Sequence, residues 1–238
     1  MATWLVRLRG ELFDLQELPE IFRSDELSVV EESKEYFAKS IAFDQLTTVE
    51  AVHSLAEEKI KVMSDVLIYH FIDFEPIKLD GSIIQITLEG ERHTFALASA
   101  HARGRSRAKA TGKASHSDGT IEPILPHDAV IARELAEKYI EVADVLHFFA
   151  GGTWLDLYKA YELIWDDVGN ERNLERKHWV DKDRLSSFTG TAQSRSAIGN
   201  NARHARRKYI MPQDKIMSLN EAKSLLKKLI NRWVQSKM

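Results

Sequence analysis

The 238 residues carry 33 lysines and arginines against 36 aspartates and glutamates, a net charge of −3, with 44% hydrophobic residues and no cysteine. The length suits one large or two modest domains, and the missing cysteines exclude disulfides and thiolate metal sites. No apolar run is long enough to span a bilayer as a helix. The opening residues lack the ordered regions of a secretory signal, so the expected location is cytoplasmic, without a membrane partner. Because the total charge is nearly neutral, any anion-binding site has to come from local clustering.

In chain order, Thr3 to Arg9 reads as a strand with Trp4, Val6 and Leu8 on one side, although Leu5 spoils the alternation. Leu15 to Phe22 is a helix or loop, and Glu35 to Phe43 reads as a second strand. Val49, Val52, Ala56, Ile60, Met63 and Leu67 recur at steps of three and four and predict a long helix from about Thr48 to His70. Thr47 with Glu50 has the form of a capping box at its start. Ile77 to Leu79, the pair Asp80-Gly81 and Ile83 to Leu88 predict a hairpin, since Asp-Gly supplies the positive φ of tight turns. Gly90 marks another turn, and His93 to Ser99 continues the meander.

Beyond Ser99 the odd positions are His101, Arg103, Arg105, Arg107 and Lys109, while small residues fill the even ones. An extended arm would display these cations on one side and could follow a nucleic-acid backbone. A surface hairpin or loop without that role is the equal alternative. The first 122 residues thus read as an α+β domain, an antiparallel sheet covered by one long helix, with the basic arm at its end. His53, His70 and His93 are too scattered for a metal site, and no glycine-rich phosphate loop is present.

Residues 123–238 read as an all-α bundle of four or five helices. Apolar positions from Val130 to Phe149 form one broad helical face that stops at Gly151-Gly152. Thr153 and Asp156 then have capping-box spacing, and Trp154 to Val168 forms the next, antiparallel helix. On that helix Glu162 and Asp166 are four apart, as general acid and base or metal ligands would be, but nearby arginines favour ion pairs that orient the stretch downstream. Asp181 to Ala192 predicts a short helix. Ser218 with Glu221 opens a long amphipathic terminal helix.

Between the last two lies the stretch from Arg195 to Lys208, built from Arg, Asn, His and Gly. If Gly199 to Tyr209 is helical, Asn200, Arg203, His204 and Arg207 share one face. Fixed guanidinium charges, amides and an imidazole that titrates near neutrality suit a phosphodiester or nucleotide phosphate. The other reading of the same residues is a solvated polar surface.

A bundle that presents Asn200, Asn201 and His204 ahead of a long C-terminal helix resembles the HEPN superfamily, the higher eukaryote and prokaryote nucleotide-binding bundles, over about residues 128–238. Many active members are metal-independent ribonucleases of toxin-antitoxin or phage-defence systems. They carry an Arg, four to six intervening residues and a His, assembled across a homodimer. Here no arginine precedes His204 at that spacing, and Arg172 with His178 fits it in an inter-helix connection instead. The resemblance implies an endoribonuclease acting by 2′-hydroxyl attack without metal or cofactor. His204 would move the proton, Arg203, Arg207 or Arg195 would stabilise the phosphoryl charge, and Asn200 or Asn201 would orient the ring or contact the phosphate. Arg103, Arg105, Arg107, Lys109, Arg206, Arg207 and Lys208 would hold the RNA backbone. Two alternatives stay open: a non-catalytic nucleotide- or nucleic-acid-binding domain, and a structural partner whose basic face is neutralised by another protein.

Overall fold

The computed structural model describes residues 2–71, 74–97, 113–115, 121–123, 127–203 and 210–238. The chain divides into two compact units, Met1–Arg133 and Glu134–Met238. The first is α+β and the second helical, as the hydrophobic periodicities require. The division falls within a helix, at Arg133.

The elements of the first unit, in order, are β1 (Thr3–Arg9), α1 (Leu12–Leu15), α2 (Leu18–Ile21), β2 (Ser28–Glu32), β3 (Glu35–Lys39), α3 (Ile41–Asp44), α4 (Val49–His70), β4 (Lys78–Ile86) and β5 (Arg92–Ala96). Two short strands follow, β6 (Lys113–Ser115) and β7 (Ile121–Pro123), paired antiparallel with each other. The main sheet has the order β2-β3-β1-β4-β5 and is antiparallel throughout. Trp4, Val6 and Leu8 join Ile83 and the buried α4 residues Val52, Ala56, Ile60, Met63 and Leu67 in one core. Leu5 and Phe37, each only 3% exposed, occupy the opposite face. That burial on both faces is why Leu5 breaks the alternation in β1. On the same face Arg92 of β5 donates to Glu32 of β2 at 2.7 Å, although these are the two edge strands. A sheet whose edge strands meet in one ion pair is strongly curled.

Several local expectations are corrected here. Asp80-Gly81 is not a hairpin turn, because β4 runs straight through it. Between Val6 and Leu8 of β1 the register partners jump from Ile83 to Leu79, and Gly81 adopts φ +83°. The positive φ serves a bulge, where a glycine is equally suited. The turn after β4 is instead at Gly90, with φ +84°. The expected strand over residues 35–43 ends at Lys39, since Ser40 caps α3 by accepting from the Ala42 amide. Strand β2 was not foreseen. Helix α4 is capped by Thr48, whose hydroxyl accepts from the Ala51 amide at 3.3 Å, not by Thr47. Beyond the basic arm, Lys113–Ser115 forms β6 and pairs with β7, which leaves both readings of the arm open. Arg103, Arg105, Arg107 and Lys109 lie outside the described residues.

The second unit takes α5 (His127–Lys138), which begins before the division, then α6 (Ile140–Gly151), α7 (Trp154–Asp167), α8 (Glu171–Arg176), α9 (Lys182–Gln193), α10 (Arg195–Ile198) and α11 (Leu219–Gln235). The expected continuous helix to Phe149 is two helices, because Tyr139 is extended at φ −126°, ψ 115°. Gly152 stops α6 at φ +66°, a left-handed conformation that glycine adopts without the cost other residues would meet. The capping boxes Thr153/Asp156 on α7 and Ser218/Glu221 on α11 both form. Val142, Leu146, Leu157, Ile164, Phe188, Leu226, Leu229, Ile230 and Trp233 make the core of this unit, each at most 1% exposed. Each such side chain contributes roughly 1.5–3 kcal/mol by leaving water. Among the described residues no helix is long and apolar enough to cross a membrane.

Candidate functional site

The stretch singled out in the sequence leaves α9 at Ser194, whose side chain is fully buried and shares a 2.8 Å hydrogen bond with the Ser196 hydroxyl. One helical turn follows, Arg195–Ile198. Gly199 ends it at φ +62°, and Gly199–Asn201 continues as a single 3₁₀ turn before Ala202 becomes extended. The expected helix over residues 199–209 is therefore corrected for its described part: Asn200 and Arg203 do not lie one above the other on an α-helical face. The physical reason is that the chain doubles back. The Arg203 amide donates to the carbonyl of Ala192 at 2.9 Å, closing a compact polar loop against the end of α9.

Arg203 is tied down by its side chain as well. Its guanidinium meets the Glu162 carboxylate of α7 at 2.7 Å and lies 4.7 Å from the Tyr158 ring centroid, one turn earlier on that helix. The Tyr158 hydroxyl accepts from the Gln193 amide at 2.8 Å, so the last residue of α9 grips the same ring. Tyr158 in turn stacks on Phe188 and meets Tyr161 edge-on. A carboxylate, an aromatic face and a backbone carbonyl thus converge on one arginine, with 36% of its side chain exposed. The ion-pair role expected of Glu162 is the one it has.

Arg195 is paired separately, donating to the Asn200 side-chain oxygen at 3.0 Å across the 3₁₀ turn. The loop therefore brings Arg195 and Asn200 together and sends Arg203 to α7. His204, Arg206, Arg207 and Lys208 lie outside the described residues. Asp166 and Glu162 do not act as a pair. The neighbouring Asp167 instead accepts from the Trp233 indole at 2.8 Å and from Lys237 at 2.9 Å. Burial pushes the Asp167 carboxyl up, but the hydrogen bonds from Lys237 and Trp233, with the lysine charge, outweigh it and hold it below the ordinary carboxylate range.

The reading of the sequence missed Tyr158 and Gln193, taking the first only as part of an apolar stripe. The signal was there, since Tyr158 and Glu162 are four apart and so present an aromatic face and a carboxylate side by side. Elsewhere, a groove of about 940 Å³ runs between α4 and the start of β4 in the first unit, lined by His53, Glu57, Lys61, Asp65 and Lys78 among others. Among the described residues no group of His, Asp and Glu is placed to hold a metal ion. No family model matches the chain, and no curated protein or solved structure matches it either.

Proposed function

We propose that the second unit is a HEPN-like bundle that acts on RNA through residues 195–208, as a metal-independent endoribonuclease with His204 as its proton carrier. The observation that supports this most is the anchoring of Arg203, the residue bonded to His204. Its amide, charge and planar face are all engaged by α7 and α9. A proton-transfer group works only when held within hydrogen-bond reach of the reacting oxygen, and a fixed neighbour limits how far it can stray. Arg203 then positions and Glu162 neutralises it, leaving phosphoryl charge to Arg195, Arg206, Arg207 or Lys208. The substrate's own 2′-hydroxyl attacks phosphorus, His204 takes its proton, and the 5′-oxygen leaves. A second copy of the chain would complete the site.

The neutralisation of Arg203 by Glu162 also favours a second reading, in which the same stretch binds RNA or a nucleotide without cleaving it. Incubation of purified protein with total RNA in chelator separates the two. Wild type should leave 2′,3′-cyclic phosphate ends, and His204→Ala should cut about 10²–10⁴-fold more slowly with unchanged circular dichroism. Absence of cleavage by wild type, or its survival in His204→Ala, sinks the nuclease reading.

A further inference from the structure

The outer face of α11 is a second cationic surface, separate from the loop of residues 195–203. From Leu219 to Met238 the chain carries four lysines and one arginine against a single glutamate, in a protein whose net charge is −3. That glutamate, Glu221, is already engaged by Arg184 and by its capping box. Lys223, Lys228 and Arg232 are exposed, and none of them forms an ion pair among the described residues. Lys223 and Lys227 are four apart, as are Lys228 and Arg232, so the cations make two rows stepped by about 6 Å along the helix. Ser224 and Asn231 lie between the rows, so no apolar side chain separates them, and the Ser224 hydroxyl donates to the Asn220 carbonyl at 2.9 Å.

From this geometry we infer that the outer face of α11 is a docking strip for the phosphate backbone of RNA, contacted independently of base sequence. Lysine and arginine rows at regular pitch meet evenly spaced phosphates. An anionic membrane does not fit this helix. A membrane-bound amphipathic helix sinks its apolar side into lipid, whereas Leu225, Leu226, Leu229, Ile230, Trp233 and Val234 are buried in the bundle. The choice of RNA as the polyanion rests on the function proposed above, but the strip would hold the strand rather than cut it.

The test uses the full chain carrying His204→Ala, so that binding is read without cleavage. Binding of a fluorescent oligouridine is followed by anisotropy over a series of KCl concentrations. Replacing Lys223, Lys227, Lys228 and Arg232 together by glutamine should weaken binding at least tenfold. It should also flatten the plot of log affinity against log salt by about two to three units, near 0.7 per lost phosphate contact. Replacing Lys177, Lys182 and Lys215, elsewhere in the same unit, should change neither. Wild-type affinity and slope in the folded quadruple variant overturn the strip, as does equal weakening by the control set. Binding to phosphatidylserine vesicles but not to RNA overturns it in favour of a membrane. If the quadruple substitution leaves binding intact while chains retaining His204 still cleave, the strip fails and the nuclease reading survives. If binding falls as expected but no chain cleaves, the strip stands and the nuclease reading fails.

Discussion

At Arg203 a charge expected to serve phosphate chemistry is consumed by structure. Its partner Glu162 is about as exposed, with side chains 36% and 31% accessible, so solvent screens the pair. A double-mutant cycle between Arg203→Ala and Glu162→Gln should give a coupling of about 0.5–1 kcal/mol in urea unfolding. A coupling near zero would mean that the Tyr158 ring, not the carboxylate, holds the guanidinium. Asp167 is the second residue whose chemistry can be read out. Its folded pKa is lowered, so its contribution to stability is full above the ordinary value of 3.8 and is lost as pH falls through the lower folded value. Asp167→Asn should cost about 1–3 kcal/mol at pH 7, and the difference from wild type should shrink below pH 4 in thermal melts. A constant difference down to pH 2 would show that the charge is not involved.

Among the elements, α4 shows how one position decides a boundary. Thr47 and Thr48 both precede a hydrophobic stripe, and Glu50 lies three residues after the first of them, which favours Thr47 on pattern alone. The backbone chose Thr48, which is extended at φ −122°, ψ 146° and receives the Ala51 amide. Thr48→Ala should therefore lower stability by about 1 kcal/mol, with Thr47→Ala within about 0.5 kcal/mol of wild type in the same denaturant titration. In β4 the sequence signal was a need for positive φ at Gly81. Dipeptide chemistry could not say whether that need served a turn or a bulge, because both use the same backbone conformation. Pairing with Val6 and Leu8 across the sheet settled it. Strand β2 stayed hidden for a related reason: Ser28 to Glu32 has too few apolar residues to stand out, and it becomes a strand by pairing with β3 along its length.

For the molecule as a whole, the composite-site reading makes a kinetic demand. If two copies supply one cleavage centre, specific activity should rise with protein concentration below the dimer dissociation constant and level off above it. Specific activity independent of concentration, with a monomer in sedimentation, would exclude a shared site. The order of an α+β unit before a helical one was legible from periodicity, because side-chain spacing of two or about 3.6 is a local property of the chain. Capping boxes at Thr153 and Ser218 were legible for the same reason. The curl of the sheet was not, since it is expressed in one ion pair between strands sixty residues apart. Nor was the purpose of Arg203. Its carboxylate partner lies on α7, its backbone acceptor on α9, and a charge in sequence carries no mark of whether folding will bring it a counter-charge. Local spacing by itself determined which segments are helix or strand and which faces are apolar. Only tertiary packing decided which cations are spent on holding the fold and which, as at Lys223, Lys228 and Arg232, remain turned to solvent, because pairing is set by distances between elements remote along the chain.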